Sequence, residues 1–154
     1  MTSMPQAIPP DHGVPRAFWG EHRQSMSADG YLSLPAQFTE AQFILTKGLD
    51  GCLMLAPRDY FASLQAKVRA LPLTSRRSRS FRRHLFAHAT PVAADSQNRI
   101  FIPESLRTYA NLTDTVVVIG NDAYLEIWNV EAWEQMSQAV DLMVQEEDWQ
   151  LEGI

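Results

Sequence analysis

Cysteine is almost absent from this chain of 154 residues, since Cys52 is the only one. A single cysteine excludes a framework of internal disulfide bonds and is typical of a protein from a reducing compartment. The apolar runs are far shorter than the roughly 20 residues that a membrane-spanning helix needs. The sequence also begins without a basic region followed by an apolar core, as a secretory signal would have. We therefore predict a cytoplasmic protein with no membrane partner.

Basic residues are missing from the last third of the chain. All 13 Lys and Arg residues lie at or before Arg107, alongside 8 acids, whereas residues 108–154 contain 10 acids. The first part thus carries a formal charge of +5 and the second a charge of −10, although the whole chain has only −5. Such separation indicates a basic working surface and a separate acidic end. An acidic end that is merely solvated is the alternative.

Catalytic and metal-binding motifs are missing as well. His84 and His88 have the i, i+4 spacing of a helical zinc site, but no Glu of the metalloprotease pattern follows and no Cys or acid cluster lies nearby. Gly48 and Gly51 do not form a phosphate-binding loop, because the sequence Gly-Lys-Ser/Thr is absent. A phosphate-ester enzyme using the histidines would rest on residue types alone. We expect a buried structural Cys52 and no metal, cofactor, small-molecule substrate or enzyme activity.

What the chain does contain is an internal repeat. Pro35 in YLSLPAQF matches Pro103 in RIFIPESL at an offset of 68 residues, and CLMLAPRDYF matches YLEIWNVEAW at an offset of 72. Each copy has the pattern of strand, proline, short helix, apolar strand, turn, strand and helix. A copy of about 40 residues could not cover its own strand edges. We therefore predict that the two copies interlock in one barrel-like core.

Local signals define several elements of these copies. Pro35 is expected to open a short helix, and another helix is expected to begin near Pro57. Gly48 and Gly51 are expected to take positive φ in the turn KGLDG. Asn129 is expected to cap the last helix.

The segment between the copies, PLTSRRSRSFRRHLFAHA, is the most basic part of the chain and contains no acid. Thr74 or Ser75 can cap a helix there. At about 100° per residue, Phe81, Leu85 and His88 share one side of that helix. The opposite side and the flanks carry Arg76, Arg77, Arg79, Arg82 and Arg83. We predict an amphipathic helix whose cationic face is either solvated or bound to an anionic partner or an acidic subunit.

The turn DSQNRIFIP is the best candidate for a binding site. Asp95 can accept hydrogen bonds from its own turn and can steady Arg99 four residues later. A guanidinium at a loop tip can bind phosphate, or O6 and N7 of guanine, through two hydrogen bonds. Ser96, Gln97 and Asn98 add short donors and acceptors for base edges or sugar oxygens. A local ion pair with no binding role is the alternative.

An apolar stripe follows in the last helix. Trp133, Met136, Val140 and Met143 recur at spacings of 3, 4 and 3. This periodicity predicts a helix face that packs on the core. Its outer end is also suited to packing on a neighbouring subunit.

Taken together, these motifs resemble the MraZ family of bacterial transcriptional regulators. The resemblance extends from about Phe18 to about Gln145 and is carried by FWGEHRQSM, GYLSLPAQF, ILTKGLDGCLMLAPRDYF, RALPLTS, DSQNRIFIPESLRTYANL and LEIWNVEAWEQ. It implies an α+β fold with a mainly β core: two tandem AbrB-like swapped-hairpin barrel halves, short helices and a C-terminal helix. It also implies ring-like self-assembly. The expected activity is sequence-specific binding to direct repeats in the promoter of the division and cell wall gene cluster, as a repressor.

With this resemblance, the chain divides into five predicted parts. They are a disordered arm (1–17), a first AbrB-like domain (18–72), the arginine-rich connecting helix (73–89), a second AbrB-like domain (90–145) and an acidic tail (146–154). The arm contains four prolines and few large apolar groups, so it cannot offset the entropy of ordering.

The family marks each half with a D-x-x-x-R turn that faces DNA. The second turn is intact here, with Asp95 and Arg99, but in the first Ser27 replaces Asp and Tyr31 replaces Arg. Asp29 occupies a position that is usually basic, and its charge would repel phosphate. The resemblance thus implies that the first loop has lost its direct role on DNA.

The predicted partners are double-stranded DNA and further copies of the chain, at the nucleoid. The residues expected to bind DNA are Arg99, Asn98, Gln97, Ser96, Asp95, Arg23, Arg76 and Arg77. Arg23 is included because it could compensate in part for the first loop. The alternative is a ring-forming protein-interaction module that has lost DNA binding.

Overall fold

The computed structural model describes residues 17–40 and 42–146. The predicted arm and acidic tail lie outside these residues, apart from Ala17 and Glu146. The strands are β1 (Glu21–Ser25), β2 (Tyr31–Ser33), β3 (Gln42–Lys47), β4 (Leu53–Pro57), β5 (Thr90–Ala93), β6 (Arg99–Phe101), β7 (Thr115–Asn121) and β8 (Tyr124–Asn129). The helices are α1 (Arg58–Arg69), α2 (Arg76–Phe86), α3 (Glu104–Tyr109) and α4 (Val130–Glu146).

The strands of the two copies interleave in the sheets. A six-stranded antiparallel sheet has the order β1-β7-β8-β4-β3-β5, and β2 pairs with β6 in a separate ribbon. Strands β1 to β4 come from the first copy and β5 to β8 from the second, so exchanging the copies leaves this order unchanged. The predicted α+β class with a mainly β core is confirmed. The larger sheet does not close within the described residues, and β1 and β5 form its edges.

The register shows the same twofold relation. In the β4–β8 pair, Leu53 faces Ile127 and Leu55 faces Leu125, and each pair becomes the other when 72 residues are added or subtracted. In the β2–β6 ribbon, Leu32 faces Ile100, which is its own equivalent at an offset of 68. The repeat in the sequence is therefore expressed as an approximate symmetry axis between the copies.

The core occupies both faces of the larger sheet. On one face, the ribbon packs over the sheet through Leu32 and Ile100, which are fully buried. On the other face, α4 packs through Trp133 and Met136 against a small cluster that contains Trp128. The predicted apolar face of the last helix is thus confirmed for its inner half.

Several local expectations are confirmed. Helix α1 begins directly after Pro57. The side chain of Ser75 accepts a hydrogen bond from the backbone N–H of Ser78 and caps α2. Asn129 Oδ1 accepts from the backbone N–H of Ala132 at 2.9 Å and caps α4.

The helix expected after Pro35 does not form. The segment makes a single turn, in which the backbone N–H of Phe38 donates to the Pro35 carbonyl oxygen at 3.0 Å. The equivalent segment after Pro103 does form a helix, α3. The rise in offset from 68 to 72 gives the second connection four more residues, which is about the 3.6 residues of one helical turn.

Two further expectations are wrong. In the β3–β4 turn, positive φ occurs at Asp50 (66°) and Gly51 (84°) but not at Gly48. Gly48 is constrained by space instead, since a Cβ there would lie 2.9 Å from Cys52 Sγ. His88 was placed on the apolar side of the arginine-rich helix, but α2 ends at Phe86 and His88 is exposed.

Candidate nucleic-acid interface

The loop between β5 and β6 is a tight turn closed by Asp95. Its Oδ1 atom accepts hydrogen bonds from the backbone N–H groups of Gln97 and Arg99, both at 2.9 Å, and its Oδ2 accepts from Arg99 Nε at 3.1 Å. These bonds, first of all the one from the Arg99 backbone, lower the pKa of the Asp95 carboxyl. The carboxylate is therefore held charged while it orients the arginine.

Arg99 lies on the outer face of the β2–β6 ribbon. It pairs with Ser33 in the register, and its guanidinium carbon is 5.5 Å from the centre of the Tyr31 ring, within the range of a cation–π interaction. The Tyr31 ring in turn contacts Phe101, with ring centres 5.4 Å apart. Asp95 uses only the Nε atom. Among the described residues, Nη1 and Nη2 of Arg99 make no hydrogen bond, so they are available to a ligand.

The other predicted loop residues have two different environments. Ser96 and Gln97 are exposed at the tip of the turn. Asn98 adopts a φ of 57°, and its side-chain amide donates to the carbonyl oxygens of Pro35 (3.2 Å) and Leu34 (3.4 Å). Asn98 therefore ties the second loop to the first copy, and its amide nitrogen is already occupied.

The first loop repeats this turn with different side chains. The Ser27 Oγ accepts from the backbone N–H of Tyr31 at 3.0 Å, as Asp95 does in the second loop. The backbone N–H of Ile102 donates to the Gly30 carbonyl at 2.8 Å, which mirrors the bond from Leu34 to Asn98 at 2.9 Å. The backbone of the turn is thus preserved, whereas the cation is lost.

The charges around the ribbon nearly balance within one chain. Hydrogen bonds from the Ser27 hydroxyl and from its own backbone lower the pKa of Asp29, and the charges of Arg99 and Arg107 add to this effect. Arg107 itself donates to backbone carbonyls of Ile102 and the first loop. Two charged acids, Asp29 and Asp95, therefore accompany two arginines. A single chain exerts little long-range attraction on a polyanion at this face.

Arg23 is paired within the chain. Its Nη2 atom lies 2.9 Å from Glu134 Oε1 on α4, and both side chains are about half exposed. This contact joins edge strand β1 to α4. The charge of Arg23 is thus partly compensated before any ligand approaches.

The arginines of α2 divide into two groups. Arg79 donates to the Leu73 carbonyl at 2.9 Å, and Arg82 donates to the carbonyls of Arg69 (2.9 Å) and Leu71 (3.0 Å). These two side chains fix the connection that follows α1. The other three, Arg76, Arg77 and Arg83, are exposed.

Arg76 and Arg77 border a separate cleft of about 570 Å³. The cleft lies between α2 and the β3–β4 turn. Its other lining residues are Gly48, Leu49, Asp50, Ser80, Phe81, His84 and Tyr109. The predicted site residues therefore occupy two surfaces, the outer face of the ribbon and this cleft.

His84 and Cys52 have structural partners. His84 Nε2 lies 2.6 Å from the Gly48 carbonyl oxygen, which fixes α2 to the β3–β4 turn. Cys52 is buried and its thiol donates to the Leu49 carbonyl at 3.0 Å. Burial raises the pKa of this thiol far above neutrality, so it is not a reactive thiolate. In the part of the chain that the structure describes, no three His, Cys, Asp or Glu residues form a possible metal site.

Sequence reasoning missed the aromatic pair that borders Arg99. Tyr31 and Phe101 are 38% and 44% exposed, respectively, on the same face of the ribbon. The signal was present in the alternation of RIFIP, which buries Ile100 and Ile102 and turns the residue between them outward. An outward-facing aromatic in a short strand is unusual enough to mark an interaction surface.

None of the helices formed by residues 17–40 and 42–146 is long and apolar enough to cross a membrane.

Comparison with known proteins identifies the family. The model of a family described as "MraZ protein, putative antitoxin-like" matches residues 85–150. Proteins named transcriptional regulator MraZ are similar over most of the chain. The one from Acetivibrio thermocellus is 42% identical over 123 residues, which cover 78% of this chain and 86% of the relative. The one from Limosilactobacillus reuteri is 44% identical over 121 residues (77% and 85%), and that from Alkaliphilus metalliredigens is 42% identical over 132 residues (84% and 92%). The chain therefore belongs to the MraZ family.

Proposed function

We propose that this protein is a transcriptional regulator that binds double-stranded DNA through the outer face of the β2–β6 ribbon. The observation that carries the proposal is the placement of Arg99. Its guanidinium is oriented by Asp95 and Tyr31, and both terminal nitrogens are free of partners among the described residues. The names of the relatives support regulation of transcription as the activity.

Arg99 is suited to bidentate recognition. Its two terminal nitrogens match either two phosphate oxygens or O6 and N7 of a guanine. Ser96 and Gln97 stand exposed beside it and supply further donors and acceptors. Asp95 and Asn98 act by shaping the loop. Arg23, Arg76 and Arg77 complete the proposed set at positions where they could contact the DNA backbone.

Binding by this site requires several copies of the chain. One ribbon carries a nearly balanced charge, so a single contact is weak, but copies linked in a ring raise the effective concentration of each further contact. Direct repeats in a promoter present the matching series of contacts. We propose that a ring-like homo-oligomer represses the division and cell wall gene cluster in this way, on the nucleoid in the cytoplasm.

A binding titration tests the function. The DNA is the segment upstream of the protein's own gene, compared with a scrambled duplex of equal length and composition. A specific regulator should bind direct repeats about a thousandfold or more tightly than the scrambled duplex at physiological salt. Equal affinity for both would refute sequence-specific regulation.

A second candidate is an interaction module that assembles but no longer binds DNA. The first loop favours it, because Asp29 is charged and Tyr31 replaces the expected cation. Such a protein would assemble normally and bind both duplexes equally weakly. The same titration, run with a measurement of molar mass, therefore separates the two candidates.

A further inference from the structure

We propose that the cleft beside α2 binds the acidic, apolar C-terminal segment of a second copy of this chain. The inference rests on the self-assembly in the proposed function and deepens it by naming the surfaces that meet. The segment comprises the last turns of α4 and the residues after it, 140–154.

The cleft combines an apolar floor with a cationic rim. Phe81 and Tyr109 line it, and Leu49 beside them is 57% exposed. Arg76 and Arg77 stand at the edge. A volume of about 570 Å³ is enough for several side chains, since ligand pockets commonly measure about 300–1,000 Å³.

The rim has more positive charge than the chain itself balances. The first turn of α2 contains no acid, and Arg76, Arg77 and Arg83 are exposed. Lys47 lies next to the cleft, with its Nζ 4.8 Å from the centre of the Tyr109 ring. Asp50 is the single acid among the lining residues. The surface therefore fits a segment that carries both acids and apolar side chains.

The C-terminal part of the chain has that chemistry. In α4 the apolar stripe continues past the residues that pack on the sheet, and Val140 and Val144 are 45% and 52% exposed, one helical turn apart. Asp141 and Glu146 flank them, and the sequence goes on as EDWQLEGI. Three more acids and three large apolar residues thus follow. The whole stretch from residue 108 onward contains no Lys or Arg.

Within one chain, the two surfaces do not cover each other. Val144 is exposed at one end, and Arg76 and Arg77 are exposed at the other. Helix α4 is continuous and contains neither Gly nor Pro, so its last turns have no bend that would return them to their own cleft. A second copy is the occupant that satisfies both surfaces.

Such a contact is heterologous, because a cleft on one copy meets a different patch on the next. Repeating a heterologous contact gives a ring if the rotation closes and a filament if it does not. DNA fits the cleft less well. Phosphates have no apolar group for the floor formed by Phe81 and Leu49, and Asp50 would repel them.

The test measures the molar mass of the full chain by light scattering in the absence of DNA. We expect the parent to be an assembly and R76E/R77E to lose it, with at least a twofold fall in mass. The new acids lie in the first turn of α2, where they favour the helix dipole, so the fold is retained. The control R58E/K67E makes the same change of charge on exposed positions of α1. It should keep the parent mass.

Charge exchange provides the decisive arm. D141R/E146R alone should also fail to assemble, because its cleft and its C-terminal segment are both basic. Mixed with R76E/R77E, it should restore an assembly of parent mass in which the two variants alternate. A parent that is monomeric, a cleft variant of parent mass, or no rescue on mixing would each overturn the proposal. A cleft variant that keeps its mass but loses DNA affinity would assign the cleft to DNA. None of these outcomes depends on Arg99, so the proposed DNA site is tested separately.

Discussion

At the scale of single residues, the two loops show what a binding turn retains when one copy loses its cation. Tyr31 stands at the position of Arg99, and its ring lies beneath the guanidinium of the other copy. Ser27 takes over the hydrogen bond that Asp95 makes to the backbone. The first loop has therefore changed from a second charged contact into support for the remaining one.

The support from Tyr31 can be measured. Tyr31→Ala should weaken DNA binding by about two- to fivefold, because an exposed cation–π interaction contributes about 0.5–1 kcal/mol. Tyr31→Phe keeps the ring and should bind like the parent. Titration of both variants with the promoter repeats checks this. If the Phe variant lost as much affinity as the Ala variant, the hydroxyl rather than the ring would be responsible.

Gly30 is the residue on which the first turn depends. Its φ is 100°, and a Cβ there would lie 2.9 Å from both the Ile102 carbonyl oxygen and Arg107 Nε. Gly30→Ala should lower the free energy of unfolding by about 1–3 kcal/mol, since it adds a clash to a strained backbone.

Gly51→Ala is the matched control in urea denaturation. Gly51 also has positive φ, at 84°, but a Cβ there would meet nothing within 4 Å. It should therefore cost less, about 1 kcal/mol. Equal losses in the two variants would show that backbone strain alone, and not the contact with the second copy, sets the requirement at Gly30.

At the scale of elements, β8 places a carboxyl group under α4. Glu126 faces Met54 across the β4–β8 pair, at the approximate symmetry axis. Burial raises the pKa of Glu126, although Trp128 Nε1 and the Cys52 thiol both donate to its carboxylate. Ionisation of this group therefore opposes folding.

The pH dependence of stability should reveal this carboxyl. Because its pKa is higher in the folded state, the protonated group stabilises the fold at low pH, and this stability is lost as pH rises from about 4.5 through the folded value. Glu126→Gln should thus gain stability relative to the parent between acid and neutral pH. Thermal unfolding over this range checks it, with the exposed Glu131→Gln as control. A constant difference between Glu126→Gln and the parent at every pH would contradict the assignment.

Much of the fold could be predicted at this scale, and the failures have physical causes. Strands β3, β4 and β8 are apolar runs beside turn residues, so their sequences identify them. Strand β1 (EHRQS) contains no apolar residue, and its pairing with β7 is what makes it a strand. Side-chain bonds such as those of Arg79 and Arg82 to backbone carbonyls also leave no trace in helical periodicity. The Asp95–Arg99 turn could be predicted because all its bonds are local.

At the scale of the whole molecule, the two copies are separate in sequence but share their sheets. The strand pairs β1–β7, β4–β8, β3–β5 and β2–β6 each join one copy to the other. The division into domains 18–72 and 90–145 remains a prediction about sequence units. Hydrogen bonding makes each of them depend on the other.

Separated copies should therefore not fold. A fragment of residues 17–72 loses the partners of β1, β2 and β4 and exposes their edges. We expect its circular dichroism to show no cooperative thermal transition, and we expect structure to appear when residues 73–154 are added. A fragment that melted cooperatively as a monomer would show that the interleaved pairing is dispensable.

The central claim is that Arg99 meets the DNA, and binding across a salt series tests it most directly. Arg99→Ala should remain folded and keep the parent mass, while its affinity for the promoter repeats falls. The slope of log K against log salt should decrease by about one for each subunit on the DNA. The exposed Arg58→Ala should leave both unchanged. A folded, assembled Arg99→Ala protein with parental affinity and slope would contradict the account.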